Sequence, residues 1–165
     1  MSYGKKLYKQ IVYNIKDYID LIPQKGSILC LDIGNKTIGL AVCDLNRTIS
    51  QNLRTIFRTK LSKDLNTISN IVTEYEITSI IVGLPLDING KLNRKSQSII
   101  RLTKEINSHI KLPVLLWDER NSTNAVEKFF INEVDLSRQK RKKVIDSAAA
   151  NWILDGVIKL LKNSN

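Results

Sequence analysis

Apolar residues at Leu7, Ile11, Ile15, Tyr18, Ile19 and Ile22 recur at helical spacing, with Lys and Asp between them. The pattern predicts an amphipathic helix over residues 5–22, stopped by Pro23 and Gly26. An apolar face of that width covers core more often than a partner, so the helix is expected to pack on the domain. The period then shortens. An apolar run over 28–31 ends in Asp32, Gly34-Asn35-Lys36 supplies turn chemistry, and a second run over 38–43 ends at Asp44. This is the signature of a β-hairpin, and a third strand is expected over 53–58.

From residue 61 helices and strands alternate. Leu61, Leu65, Ile68, Val72 and Tyr75 mark a helix. Ser79-Ile80-Ile81-Val82 reads as a buried strand, followed by a polar loop over 87–93. Ile99, Leu102, Ile106 and Ile110 mark the next helix, and residues 113–117 a strand running into Asp118-Glu119-Arg120. Ser122 or Thr123 caps a helix bearing Val126, Phe129 and Phe130. A basic loop over 138–143 leads into a last helix over 144–161. Hairpin strands followed by alternating helices and strands give one mixed sheet with helices on its faces. The division is an N-terminal helical extension over 1–24 and one globular domain over 25–165.

Composition narrows the partner. The 165 residues are 42% apolar, enough for one packed core. Lys and Arg total 26 against 16 Asp and Glu, a net charge of +10, which fits a polyanion. Cys30 and Cys43 sit in apolar runs and read as small buried hydrophobes rather than a disulfide scaffold. With His109 as the single histidine, at a helix end, no zinc site is expected. Neither a secretory leader nor an apolar stretch of roughly 18 residues is visible, so the expectation is a cytoplasmic protein without a membrane partner.

The candidate chemistry lies in acids at element ends. Asp32 ends the first strand, Asp118-Glu119 ends the last, and Asp146 starts the last helix. If strands 28–32, 78–82 and 113–117 run parallel, their C-terminal ends share the edge where open α/β sheets bind ligands. Clustered carboxylates repel, and a divalent metal compensates them. Two such ions, roughly 3.5–4 Å apart, activate a water and stabilise the leaving oxygen of a phosphodiester. Adjacent strand residues face opposite sides, so only one of Asp118 and Glu119 enters the cleft; Glu119 is favoured, with Asp118 as the alternative. Asp155, nine residues on and about 180° round the helix from Asp146, is left out. The run Arg138, Lys140, Arg141, Lys142 and Lys143 precedes a helix N-terminus, where cations oppose the macrodipole, so phosphate contact explains it better than helix stability.

Four motifs in order resemble the YqgF family: residues 31–42 (Leu-Asp-Ile-Gly-Asn-Lys-Thr-Ile-Gly-Leu-Ala-Val), Val82-Gly83-Leu84-Pro85-Leu86 with Asn89-Gly90, Asp118-Glu119-Arg120-Asn121-Ser122-Thr123, and Val144-Ile145-Asp146-Ser147-Ala148-Ala149-Ala150. These are bacterial RNase H-like proteins described as Holliday junction resolvases and as pre-16S rRNA nucleases. The resemblance spans about residues 28–159. It implies an RNase H-like fold with a five-stranded mixed sheet and a catalytic trio of Asp32, Glu119 and Asp146, which would also be the ligands of two Mg²⁺ or Mn²⁺ ions. Lys36, Arg120 and the 138–143 run would position the nucleic-acid backbone. Two departures stand out: Thr37 where the family usually has a basic residue, and Asp87 where it often has Asn. The implied substrate is pre-rRNA, processed at its 5′ end, with branched DNA as the alternative; junction resolution needs a homodimer, whereas a monomer favours RNA. Two other classes compete. A kinase or ATPase of the actin type needs two such domains, and a non-catalytic nucleic-acid binder has no use for the acids.

Overall fold

The computed structural model describes residues 10–120 and 138–164, with 138–147 as helix backbone. In chain order the elements are β1 (Ile11–Val12), α1 (Ile15–Leu21), β2 (Ser27–Ile33), β3 (Thr37–Cys43), β4 (Ser50–Asn52), β5 (Ile56–Phe57), α2 (Leu61–Glu74), β6 (Ile77–Leu84), α3 (Arg94–Ile110), β7 (Val114–Asp118) and α4 (Arg138–Asn163). The helix expected after Ser122 or Thr123 lies outside the described residues.

One mixed sheet of seven strands runs in the order β1-β7-β6-β2-β3-β4, with β5 paired to β3 beside β4. β2 and β3 form the expected antiparallel hairpin, whereas β2, β6, β7 and β1 run parallel. The parallel strands are covered on both faces, which is why they read as unbroken apolar runs. Leu29, Leu31, Ile80, Val82, Val114 and Leu116 point into one core, closed by Leu65, Ile68 and Ile71 of α2 and Ile99 and Ile106 of α3. Ile28, Cys30, Ile81 and Leu115 point into the other, closed by Ala150, Ile153, Leu154 and Val157 of α4 and by Tyr18 of α1. Cys30 and Cys43 are both buried free thiols of this second core, in the role the sequence suggested.

Three element expectations change. The chain over 10–22 is a strand and a short helix, not part of one helix over 5–22. Ile11 pairs with Val114, and Asn14 caps α1 by accepting from the Asp17 N–H at 2.9 Å. β-Branched Ile11 and Val12 favour a strand, and their spacing from Ile15 imitates a helical stripe. The rest of the segment does pack on the domain: Tyr18 is fully buried and its hydroxyl donates to Ser79 Oγ at 2.8 Å. Among the described residues the sheet has seven strands rather than five, because β1 adds an edge, β4 precedes the strand expected over 53–58, and β5 keeps only residues 56–57 of that strand. β4 is the polar Ser50-Gln51-Asn52 and has no apolar run to betray it. Finally, α4 starts at Arg138, so the basic run is helix rather than loop. Lys, Arg and Gln are good helix formers, and the apolar stripe that marks the helix begins only after them.

Among the described residues no helix is long and apolar enough to cross a membrane.

Candidate active site

The C-terminal ends of β2, β6 and β7 lie side by side at one sheet edge, as parallel pairing requires. Pleat alternation then sorts the acids. Ile28 and Cys30 face the α4 side, so Asp32 does too. On β7, Leu115 and Trp117 face that side. Glu119 lies one residue past the strand, but its N–H still bonds Leu84 O at 3.3 Å, and its side chain is buried. Asp118 does not share its environment. It is half-exposed and held by Arg120, with Nη2 2.6 Å and Nε 2.8 Å from Oδ2. That pairing holds the Asp118 carboxyl below its ordinary range despite partial burial.

Gly83 makes room for the pair. Leu31 is in register with Val82, and Gly83 with Trp117, so Gly83 sits between the Asp32 and Glu119 positions. A Cβ built on Gly83 would lie 2.5 Å from Glu119 Oε2 and 3.0 Å from Ile153 Cδ1. The carboxylate therefore occupies space that any other residue would fill. Burial, then the Asp32 charge, pushes the Glu119 carboxyl up to about 7, while Lys95 draws it down. Glu119 Oε2 is buried with no hydrogen-bond partner among the described residues. Beneath it, burial and then Asp32 and Glu119 raise the Cys30 thiol well above its ordinary value. The pocket is thus doubly unfavourable for negative charge, and it holds two carboxylates.

Asp146 belongs to α4, four residues before the buried Ala150. Its side chain, like those of Arg138, Lys140, Arg141, Lys142 and Lys143, lies outside the described residues. Asp32 and Glu119 are therefore the part of the expected trio that the structure brings together; among the described residues no third metal-binding side chain joins them.

Of the expected backbone-binding cations, Lys36 is exposed in the β2–β3 turn, whose Gly34 N–H bonds Thr37 O at 2.8 Å. Arg120 is exposed but engaged: besides Asp118 it donates from Nη1 to Ile88 O at 3.2 Å. Asp87 bonds Asn93 Nδ2 at 3.0 Å, which ties down the loop before α3. Two cations escaped the sequence reading. Arg58, just past β5, donates from Nη1 to Gly34 O at 2.7 Å. Lys95 stands in the first turn of α3, behind an Asn93–Ser96 capping box. Together with Asn35 and Ser98 they line a small notch at the same edge as the acids. A signal existed for Lys95: a cation in a first helical turn opposes the macrodipole, the argument already applied to the 138–143 run.

Comparison with known proteins follows the same lines. The family model described as RuvX, Holliday junction resolvase, matches residues 26–160. A protein of Thermoanaerobacter pseudethanolicus named "Putative pre-16S rRNA nuclease" is 43% identical over 136 residues, 82% of this chain and 98% of its own length. One of the same name from Caulobacter vibrioides is 39% identical over 153 residues, 92% of this chain and 97% of its own. Among solved structures, T. thermophilus RuvC in complex with a Holliday junction substrate superposes with a TM-score of 0.50, covering 84% of this chain and 97% of that one at 10% identity. At that identity the likeness speaks for the RNase H-like fold alone. On the family match and the sequence relatives together, the chain belongs to the RuvX family, the YqgF proteins that its four motifs resemble.

Proposed function

We propose that this chain is a divalent-metal-dependent nuclease that hydrolyses phosphodiester bonds and processes the 5′ end of pre-16S rRNA in ribosome biogenesis. The observation that carries the reading is Glu119, a buried carboxylate with an oxygen that has no partner among the described residues, beside a second carboxylate, Asp32. An uncompensated buried charge costs several kcal/mol, and a cation between the two removes that cost. An all-carboxylate donor set suits Mg²⁺ or Mn²⁺.

Asp32, Glu119 and Asp146 would hold the metal, two ions being the expected number. Bound there, the ions would lower the pKa of a water and neutralise charge developing on the phosphate. The remaining work falls to the chain. β2 and β7 bring the acids to one edge, and Gly83 keeps the space between them open. Arg58 and Lys95, which line the notch, and Lys36, exposed in the β2–β3 turn, would supply positive charge for the flanking phosphates. In this reading Arg120 orders the Asp118 end of β7 and contributes less phosphate binding, since its charge is matched. The cations at 138–143, at the start of α4, would add positive charge for the same backbone.

RNA is favoured because relatives about 40% identical over most of the chain carry that name. The resolvase fold supports a second reading, cleavage of four-way DNA, which needs a dimer for two symmetric cuts. Side-by-side cleavage of labelled pre-16S rRNA and a four-way junction, in Mg²⁺, Mn²⁺ or EDTA, tests both. Metal-dependent cutting of the rRNA end that is lost in Asp32→Asn is expected. Cutting of the junction alone would move the substrate to DNA, and metal-independent cutting would end the proposal.

A further inference from the structure

The sequence contains two tryptophans, and both line one cleft. Trp117 comes from β7 and Trp152 from α4; Asp118, Arg120, Ile153, Asp155, Gly156 and Lys159 complete the wall around about 430 Å³. That volume falls within the roughly 300–1,000 Å³ of small-molecule sites. Trp152 is 50% exposed, although the helix that carries it packs its other side fully into the core. Core packing explains Trp117, which is half-buried, but not the open face of Trp152.

The cleft adjoins the acids. Trp117 precedes Glu119 by two residues, and Ile153 both lines the cleft and meets the space above Gly83 where the Glu119 carboxylate lies. Its charged groups are two acids and two bases: Asp118 is paired with Arg120, and Asp155, which accepts from the Ser50 hydroxyl, stands four residues before Lys159 on α4. Lys159 adds a positive charge, in a chain that already carries +10. An aromatic wall with a lysine at its rim suits a nucleobase with its phosphate: the ring stacks on the indole and the charge meets Lys159. A base buried in duplex cannot present its face in this way, whereas an unpaired one can.

We propose that the Trp117–Trp152 cleft is a stacking site for an unpaired nucleobase next to the scissile bond. The inference rests on the nuclease reading for the identity of the ligand and deepens it, giving the enzyme a preference for single-stranded substrate beside the cut.

Both tryptophans report on the cleft, so the intrinsic fluorescence of the full chain is the readout. Titration in EDTA, without cleavage, would use a short single-stranded RNA, the same length of duplex, and an abasic oligomer of equal charge. Strong quenching by the single strand, and little by the duplex or the abasic chain, is expected. Trp152→Ala should weaken single-strand binding roughly tenfold or more, since aromatic removal costs about that per stacked base. Trp152→Phe, which keeps a ring, should retain most of the affinity. Trp152 is half exposed, and an unchanged melting temperature checks that its replacement leaves the fold intact. Equal quenching by the abasic chain, or undiminished affinity in Trp152→Ala, would overturn the stacking site. Metal-dependent cleavage that persists in those cases would leave the nuclease reading standing; quenching without any cleavage would do the reverse.

Discussion

Glu119 Oε2 lies where a side chain at Gly83 would have to be: a Cβ there would approach it to 2.5 Å, against a floor near 3.0 Å for real contacts. A glycine on β6 therefore sets the position of a carboxylate carried by the end of β7. Gly83→Ala should push Glu119 away from Asp32 and cut turnover about a hundredfold, a 1 Å misplacement being enough for that. The melting temperature should move little by comparison, because the neighbour that must yield is the Glu119 side chain and the Ile153 methyl. Turnover and thermal melting of the variant, measured together, check this.

Removing the charge should separate stability from activity. Glu119→Gln keeps the shape and relieves a buried carboxylate that burial and Asp32 both disfavour. In EDTA at pH 8 the variant should be more stable than the parent, by about 1–3 kcal/mol, while activity in Mg²⁺ is lost. Paired functional acids commonly weigh on stability in this way. Denaturant unfolding in EDTA gives the comparison; a less stable variant would mean that Glu119 has a structural partner.

The two cations at the notch should act on binding rather than on chemistry. Arg58→Ala and Lys95→Ala are expected to raise KM several-fold each with a smaller change in kcat. Each should also flatten the dependence of affinity on salt by about one phosphate contact. Lys95→Ala carries a second signature, because Lys95 is the group that draws the Glu119 carboxyl down. Affinity measured across a salt series distinguishes these effects from a loss of fold.

Stability against acid should depend on Asp44. Its carboxylate accepts from the Ile49 N–H at 2.7 Å, the Thr48 hydroxyl and N–H, and the Asn46 N–H. These bonds, the Ile49 one foremost, hold its carboxyl down to about 2. The folded value is below the ordinary one, so the stabilisation is present above pH ~4 and fades as pH falls through about 2. The turn also carries Arg47, which donates to Gly26 O at 3.0 Å and Pro23 O at 2.7 Å. Asp44→Asn should melt lower than the parent at neutral pH, with the gap closing between pH 4 and pH 2. A gap that stays constant over that range would show that Asp44 acts by shape alone.

Much of the sheet was legible because its central strands are covered on both sides. Residues 28–31, 79–82 and 114–116 have no polar alternation to confuse with a helix, and each ends in a turn or an acid. The relation of Asp32 to Glu119 was legible for the same reason: parallel strands and a two-residue pleat put them on one face. Local pattern failed where two periods coincide or where none exists. Ile11 and Ile15 are four apart, yet one is in a strand and the other in a helix. β4 is polar at an edge, and the first turns of α4 are all charged or amide. The Gly83 gap and the Arg58–Lys95 notch depend on which strands are neighbours, information that lies in tertiary pairing rather than in any one segment.

The proposed chemistry requires Asp32 and Glu119 to share a divalent ion, and Mn²⁺ binding to the chain, followed by the loss of the free-ion paramagnetic signal, tests this most directly. The parent is expected to bind, with Asp32→Asn and Glu119→Gln each weakening the affinity at least tenfold and lowering cleavage in parallel. Variants that bind Mn²⁺ as the parent does, or that cleave undiminished, would contradict it.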